Sequence, residues 1–175
     1  CEFLKEKAPC DYTYVAEPQA GLSAARNAGL AVIDSELVVF SDDDVVLDPH
    51  WLQELLSGFS DAAVACVTGL ILPLELTTPA QRLLEEFGGF SKGYQHKRFD
   101  LLHPEDNDPL YPFLPGRFGS GANTAFRTAF LRSIGGFDQA LGTGTPARGG
   151  EDLDIYLEVL GRGGGIVYRP GAVIL

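Results

Sequence analysis

Leu37-Val38-Val39-Phe40-Ser41-Asp42-Asp43-Asp44 decides how this chain is read. Its first half is an apolar run of strand length, and its second half is three consecutive carboxylates. Such a run ends a buried strand, so the residues behind it emerge at the sheet edge, where ligands gather in open α/β folds. Repulsion among three adjacent carboxylates calls for compensation. A divalent cation supplies it, because hard cations such as Mg²⁺ take carboxylate oxygens and share them with substrate phosphates. A second reading stands beside this one: Asp44 or Asp48 caps the helix that Pro49 opens, where the macrodipole favours negative charge. An EF-hand is excluded, since Val45, Val46 and Leu47 follow where Gly and further oxygen ligands are required.

Outward from this stretch the pattern alternates between helix and strand. Upstream, Leu22, Ala25, Ala28, Leu30 and Ile33 recur at helical spacing over residues 20–33. Downstream, Pro49 opens a helix with Trp51, Leu52, Leu55, Leu56 and Phe59 on one face, and residues 62–72 return as a strand. These predict a β-α-β crossover over a parallel sheet. Thr78 caps a helix from Pro79 to the Gly88-Gly89 pair, and residues 92–119, without a clean period, form an irregular segment that covers or lines a site. A helix over 127–134, another from Glu151, and strands over 165–168 and 172–175 complete the pattern. At the start, residues 12–16 alternate as a short strand, and residues 2–7 resemble a helix tail stopped by Pro9.

Bulk properties narrow the function. The 175 residues suffice for a single core, and 45% hydrophobic with 21% charged residues is an ordinary globular composition. A formal net charge of -11 argues against nonspecific nucleic-acid binding and disfavours a polybasic membrane dock, both of which need clustered Lys and Arg. An anionic substrate then needs local compensation, which favours a bridging metal. Cys1, Cys10 and Cys66 have neither the density of a disulfide scaffold nor zinc spacing, so a reducing cytoplasm is expected. The lack of Met and the start at Cys1 lead to the expectation of one domain over 1–175, truncated at both ends, with any attachment to the inner face of a membrane made through missing segments.

Three further segments carry polar residues that a core does not explain. Residues 21–27 form a helix start whose free N–H groups and Arg26 suit a nucleotide, although a solvent-facing Arg is the simpler reading. Gly121, Ala122 and Asn123 belong to a small-residue loop that lets backbone approach a ligand, with turn chemistry as the alternative. This loop fits neither the dinucleotide fingerprint nor the phosphate-binding loop. Glu151, Asp152 and Asp154 follow Gly149-Gly150 at a helix mouth, where a carboxylate can act as general base or simply complement the dipole. Within the triplet, Asp42 and Asp44 share a face while Asp43 points elsewhere.

In order, Ala25-Arg26-Asn27, the strand into Asp42-Asp43-Asp44, residues 121–127, residues 134–138 and residues 149–154 resemble the inverting nucleotide-sugar glycosyltransferases of family 2. The resemblance runs from about Gly21 to the last residue. It implies an α/β GT-A fold, a mixed, mostly parallel sheet flanked by helices, with the donor at the carboxyl ends of the strands. It also implies Asp44 as ligand of Mg²⁺ or Mn²⁺, with Asp42 sharing that role nearer the nucleoside. Arg26, Asp42, Asp43, Gly121, Ala122 and Asn123 are implied as donor-binding, and the Glu151-Asp152 pair as the source of the base, with Asp152 preferred to Glu151. The partners so implied are a nucleotide-sugar donor and a carbohydrate, lipid-linked or other hydroxyl acceptor. Two departures are visible: no Pro-x-Tyr/Phe-Asn-like motif precedes Cys1, and none of His50, His96 or His103 stands where the family places a closing His.

Other functions share parts of this pattern. A sugar nucleotidyltransferase needs a glycine-rich basic loop that is absent here, and a glycosidase would set Asp44 and Asp152 across a glycosidic bond without metal. A non-catalytic carbohydrate- or partner-binding module, or an inactive remnant of the same fold, would rely on Tyr94, Phe99, Tyr111, Phe113 and Phe118.

Overall fold

The computed structural model describes residues 11–103 and 108–175, so the expected helix tail over residues 2–7 lies outside the described residues. The first helix, α1 (Leu22–Val32), realises the predicted apolar period and is followed by β1 (Leu37–Ser41). Next come α2 (Trp51–Ser57), which continues into a 3-10 turn (Gly58–Ser60), and β2 (Val64–Ile71). Helix α3 (Pro79–Glu86) begins at the predicted cap: the Thr78 hydroxyl accepts from the Gln81 N–H, and the Gln81 side chain accepts from the Thr78 N–H at 2.8 Å. The chain then forms β3 (Lys97–Phe99), β4 (Asn123–Arg127), α4 (Thr128–Ile134), α5 (Glu151–Gly161) and β5 (Gly165–Ile174).

The five strands form one sheet in the order β1-β4-β2-β5-β3. Strand β4 lies antiparallel between β1 and β2, β2 pairs in parallel with β5, and β3 pairs antiparallel with β5. Thus β1, β2 and β5 run one way while β4 and β3 oppose them. The sheet is mixed as expected, but its neighbour contacts are mostly antiparallel, because β4 is inserted between the strands of the predicted crossover. That strand falls where the sequence reads as a loop followed by a helix. The two predicted closing strands are one, β5, with a register shift where Gly69 and Leu70 face Arg169 and Val173. Residues 12–16, predicted as a strand, join no sheet and are exposed or nearly so.

Alternation along the central strands feeds a core on each face. Cys66, Phe126, Ile166 and Tyr168 point to the larger core with Leu30 of α1, Leu131 of α4 and Ile155, Tyr156, Val159 and Leu160 of α5. Val67, Ala125 and Val167 point to the other core, under Trp51 and Leu55 of α2. Of the five apolar residues predicted for the buried face of α2, Leu52 and Leu56 are exposed, because one short helix covers that face. Edge strand β1 is only half-buried at Leu37 through Phe40, so it is not the fully buried strand that its composition predicts. In the irregular segment Phe99 and Phe118 are core residues with ring centroids 4.8 Å apart, whereas Tyr94 and Phe113 are exposed.

Candidate active site

The co-directional strands β1, β2 and β5 bring their carboxyl ends to one edge, the position at which open α/β sheets bind ligands. A cleft of about 450 Å³ opens there. Asp42 and Asp44 line it from beyond β1, Ile71 and Leu72 from the end of β2, Ile174 and Leu175 from the end of β5, and Ser120 and Ala122 from the approach to β4. The chain behind the triplet is pinned to that edge. The Val46 N–H donates to the Leu175 carbonyl at 2.9 Å, the Leu175 N–H returns the bond at 2.9 Å, and the Asp48 N–H donates to the Val173 carbonyl at 3.1 Å. The helix-cap reading of the triplet fails: α2 starts after His50, and the Asp48 carboxylate instead accepts from the His50 N–H in a local turn.

Arg26 joins the scattered motifs. Only 7% of its side chain is exposed, so the solvent-facing reading is overturned. Its Nη1 donates to Glu151 Oε1 at 3.0 Å, its Nη2 donates to the Gly121 carbonyl at 3.2 Å, and Asp42 Oδ1 lies 3.8 Å from Nη2. The rings of Phe40 and Phe137 flank the guanidinium, with centroids 5.6 and 5.3 Å from Cζ. Helix α1 therefore presents a buried cation to the first Asp of the triplet, the small-residue loop and the acidic pair at once.

The two candidate bases differ in setting. Glu151, buried, is taken up by Arg26. Asp152, half-buried, accepts from the Gly121 N–H at 2.7 Å through Oδ2 and from the Leu153 N–H at 2.9 Å through Oδ1. A carboxylate offers about four lone-pair sites, so these two bonds leave Asp152 further accepting capacity. Gly121 lets these side chains approach closely: a Cβ there would stand 2.9 Å from Arg26 Nη2 and 3.2 Å from Asp152 Cβ.

Of the six implied donor-binding residues, Asp42 and Ala122 line the cleft, whereas Arg26, Asp43, Gly121 and Asn123 do not. Asn123 is fully buried; its Nδ2 donates to the carbonyls of Leu70 at 3.0 Å and Ala172 at 2.8 Å, and its Oδ1 accepts from Trp51 Nε1 at 2.8 Å. It ties β4 to β2, β5 and α2, and its side chain is consumed in doing so. Asp43 is exposed and does not line the cleft that Asp42 and Asp44 share. Sequence reasoning also missed contributors. Leu74, Leu84, Glu85 and Phe90 form the opposite wall, from a segment that the sequence marks as a capped helix but not as part of a site. Asn27 grips residues 136–137: its Oδ1 accepts from the Phe137 N–H at 2.8 Å and its Nδ2 donates to the Phe137 carbonyl at 2.8 Å. Gly136, at φ +83°, leaves the room this requires, since a Cβ would lie 2.4 Å from Asn27 Oδ1.

Behind the site, burial pushes the Cys66 thiol and the Tyr156 hydroxyl above their ordinary pKa ranges. Both stay protonated at neutral pH, which removes the one described cysteine as a nucleophile. Asp44 makes no hydrogen bond or ion pair among the described residues, and no three His, Cys, Asp or Glu side chains gather there as a metal-binding group. Two exposed carboxylates beside an open cleft suit a hard cation of the Mg²⁺ or Mn²⁺ type, which takes one or two protein carboxylates and completes its shell with phosphate oxygens and water.

A mixed sheet flanked by helices, with acids at its carboxyl edge and a glycine loop beside them, is the arrangement of the GT-A fold. The profile of glycosyl transferase family 2 matches residues 2–135, and the chain belongs to that family. The chain is similar to the pre-mycofactocin glycosyltransferase of Mycobacterium tuberculosis, at 31% identity over 171 residues, covering 95% of this chain and 32% of the relative. It thus spans about a third of the length of the curated relatives it matches. Among solved structures, the fold is similar to the mannosyltransferase PcManGT from Pyrobaculum calidifontis in complex with GDP-Man and Mn²⁺. That match has a TM-score of 0.65 at 17% identity and covers 99% of this chain and 41% of the other. It is also similar to GalNAc-T7 with UDP, GalNAc and Mn²⁺, at TM-score 0.60 and 17% identity over 92% of this chain and 31% of that one. At such identity these likenesses carry the fold. No described helix is long and apolar enough to cross a membrane.

Proposed function

We propose that this domain moves a sugar from a nucleotide-diphosphate donor to an acceptor hydroxyl, with inversion at the anomeric carbon and assistance from Mg²⁺ or Mn²⁺ held at Asp44 and Asp42. One observation carries the reading: four motifs far apart in sequence meet around Arg26 beside a cleft that Asp42 and Asp44 line. Both solved relatives named above hold Mn²⁺ together with a nucleotide diphosphate or its sugar, which supports this donor class.

Ser120 and Ala122 present small side chains beside the acids, where a sugar can lie close to the chain. Asp152 accepts the proton of the acceptor hydroxyl as that oxygen bonds to the anomeric carbon and the bond to the diphosphate oxygen breaks on the opposite face. The divalent cation, when bound, stabilises charge on the departing diphosphate. One displacement inverts the configuration, and no covalent sugar–protein intermediate is needed.

The test is calorimetric titration of UDP and GDP into the protein and its Asp44→Ala variant, with Mn²⁺ and with EDTA. Binding of one nucleotide that needs Mn²⁺ and weakens by about tenfold or more in Asp44→Ala is expected, as for loss of a hard-cation ligand. Asp44 is exposed, so thermal stability should not fall with it. Sugar release that persists in EDTA without freeing a nucleotide would instead make the domain a glycosidase.

A further inference from the structure

The buried position of Arg26 assigns it a task different from holding the donor. Its guanidinium is spent inside the protein: Nη1 on Glu151 at 3.0 Å, Nη2 on the Gly121 carbonyl at 3.2 Å, with Asp42 at 3.8 Å and two phenyl rings alongside. The side chains of Arg26 and Glu151 are 7% and 8% exposed, so neither reaches the open cleft as a free charge. Neither residue lines the cleft; Asp152 does not line it either, but it bonds the Gly121 N–H between the lining residues Ser120 and Ala122. Both peptide groups flanking Gly121 are held, one through its N–H by Asp152 at 2.7 Å and the other through its carbonyl by Arg26 at 3.2 Å. A Cβ on Gly121 would stand 2.9 Å from Arg26 Nη2 and 3.2 Å from Asp152 Cβ, so it would displace both side chains.

We propose that Arg26 is a positioning residue: it keeps Glu151 buried as a charged anchor, fixes the Gly121 backbone, and through that backbone orients the Asp152 carboxylate toward the acceptor. Asp42 takes its orientation from the same guanidinium. Glu151 then has no part in proton transfer, and the two adjacent acids divide into an anchor and a base. Removing either member of a buried ion pair strands the other, whereas removing both charges together does not. The Arg–carboxylate fork also has geometry that Lys cannot reproduce.

This inference rests on the transferase reading, and its test separates the two. Arg26→Lys and the paired variant Arg26→Gln with Glu151→Gln, which leaves no stranded charge, are compared with the unmodified protein. Two quantities are measured: hydrogen exchange at the Gly121 amide, and kcat beside the affinity for UDP or GDP with Mn²⁺. The expected result is exchange at Gly121 faster by at least tenfold, kcat lower by at least tenfold and nucleotide affinity within about threefold of the unmodified protein. Unchanged Gly121 exchange with nucleotide affinity lowered tenfold or more would make Arg26 a direct donor ligand and overturn the proposal. If Gly121 exchange quickens while even the unmodified protein binds no nucleotide with Mn²⁺, the clamp stands and the transferase reading falls.

Discussion

The two walls of the cleft are built by opposite means. The wall that presents Ser120 and Ala122 is backed by α1 and the start of α5 and locked by buried polar bonds between segments far apart in sequence; Arg26 and Glu151 are 125 residues apart. The facing wall, residues 73–90 with α3, buries no residue of its helix and leaves Leu83, Leu84, Phe87 and Phe90 exposed, Phe87 at 84%. Its bonds are local: the Thr78–Gln81 capping box, and Arg82 Nε donating to the Leu76 carbonyl at 3.0 Å. Groups that must hold a fixed geometry therefore sit on the side where displacement costs several buried bonds. The other side can shift or change sequence while leaving the acids in place.

The heaviest losses are expected on the locked side. Asn123→Ala orphans the Trp51 indole N–H and the carbonyls of Leu70 and Ala172 in the core. At roughly 1–3 kcal/mol for each buried group left unsatisfied, destabilisation of about 3 kcal/mol or more is expected from urea unfolding. A loss below about 1 kcal/mol would mean that the latch is not what joins β4 to its neighbours. Gly121→Ala comes next. Its new Cβ meets Arg26 Nη1 and Nη2 at 3.1 and 2.9 Å, and overpacking of this kind costs about 1–3 kcal/mol. Here turnover should fall further than stability does, because the displaced atoms belong to Arg26 and Asp152.

The same contrast explains what the sequence made legible. Helix α1, strand β1 and the α3 cap follow from local period and cap chemistry, and all three are found close to where those signals place them. Strand β4 escaped because Asn123, Thr124 and Arg127 read as polar loop; its conformation comes from the antiparallel partners β1 and β2, distant in the chain. Strand β3, three residues on the outer edge of β5, escaped for the same reason. At the site, the motifs themselves were visible, but not which of their side chains are consumed internally. Nothing near Arg26 in sequence announces Glu151, and Asn123 looks the same in a ligand loop as in a latch. Burial of a polar side chain is a property of its partners, and these partners are remote.

The lighter effects lie on the self-held wall, and they sharpen the comparison by their smallness. Thr78→Ala removes the hydroxyl that accepts from the Gln81 N–H and should cost about 1 kcal/mol, measurable as fraying of α3 by hydrogen exchange with little change in global unfolding. Phe87→Ser, just past the end of that helix, should cost less than about 0.5 kcal/mol, since an exposed side chain loses little burial when truncated. The value of that substitution is its sign in context. A cost above about 1.5 kcal/mol in denaturant unfolding would show that the ring is covered in solution, because only burial of most of an aromatic side chain yields an effect of that size. The two walls would then both be packed, and the freedom assigned to residues 73–90 would have to be given up.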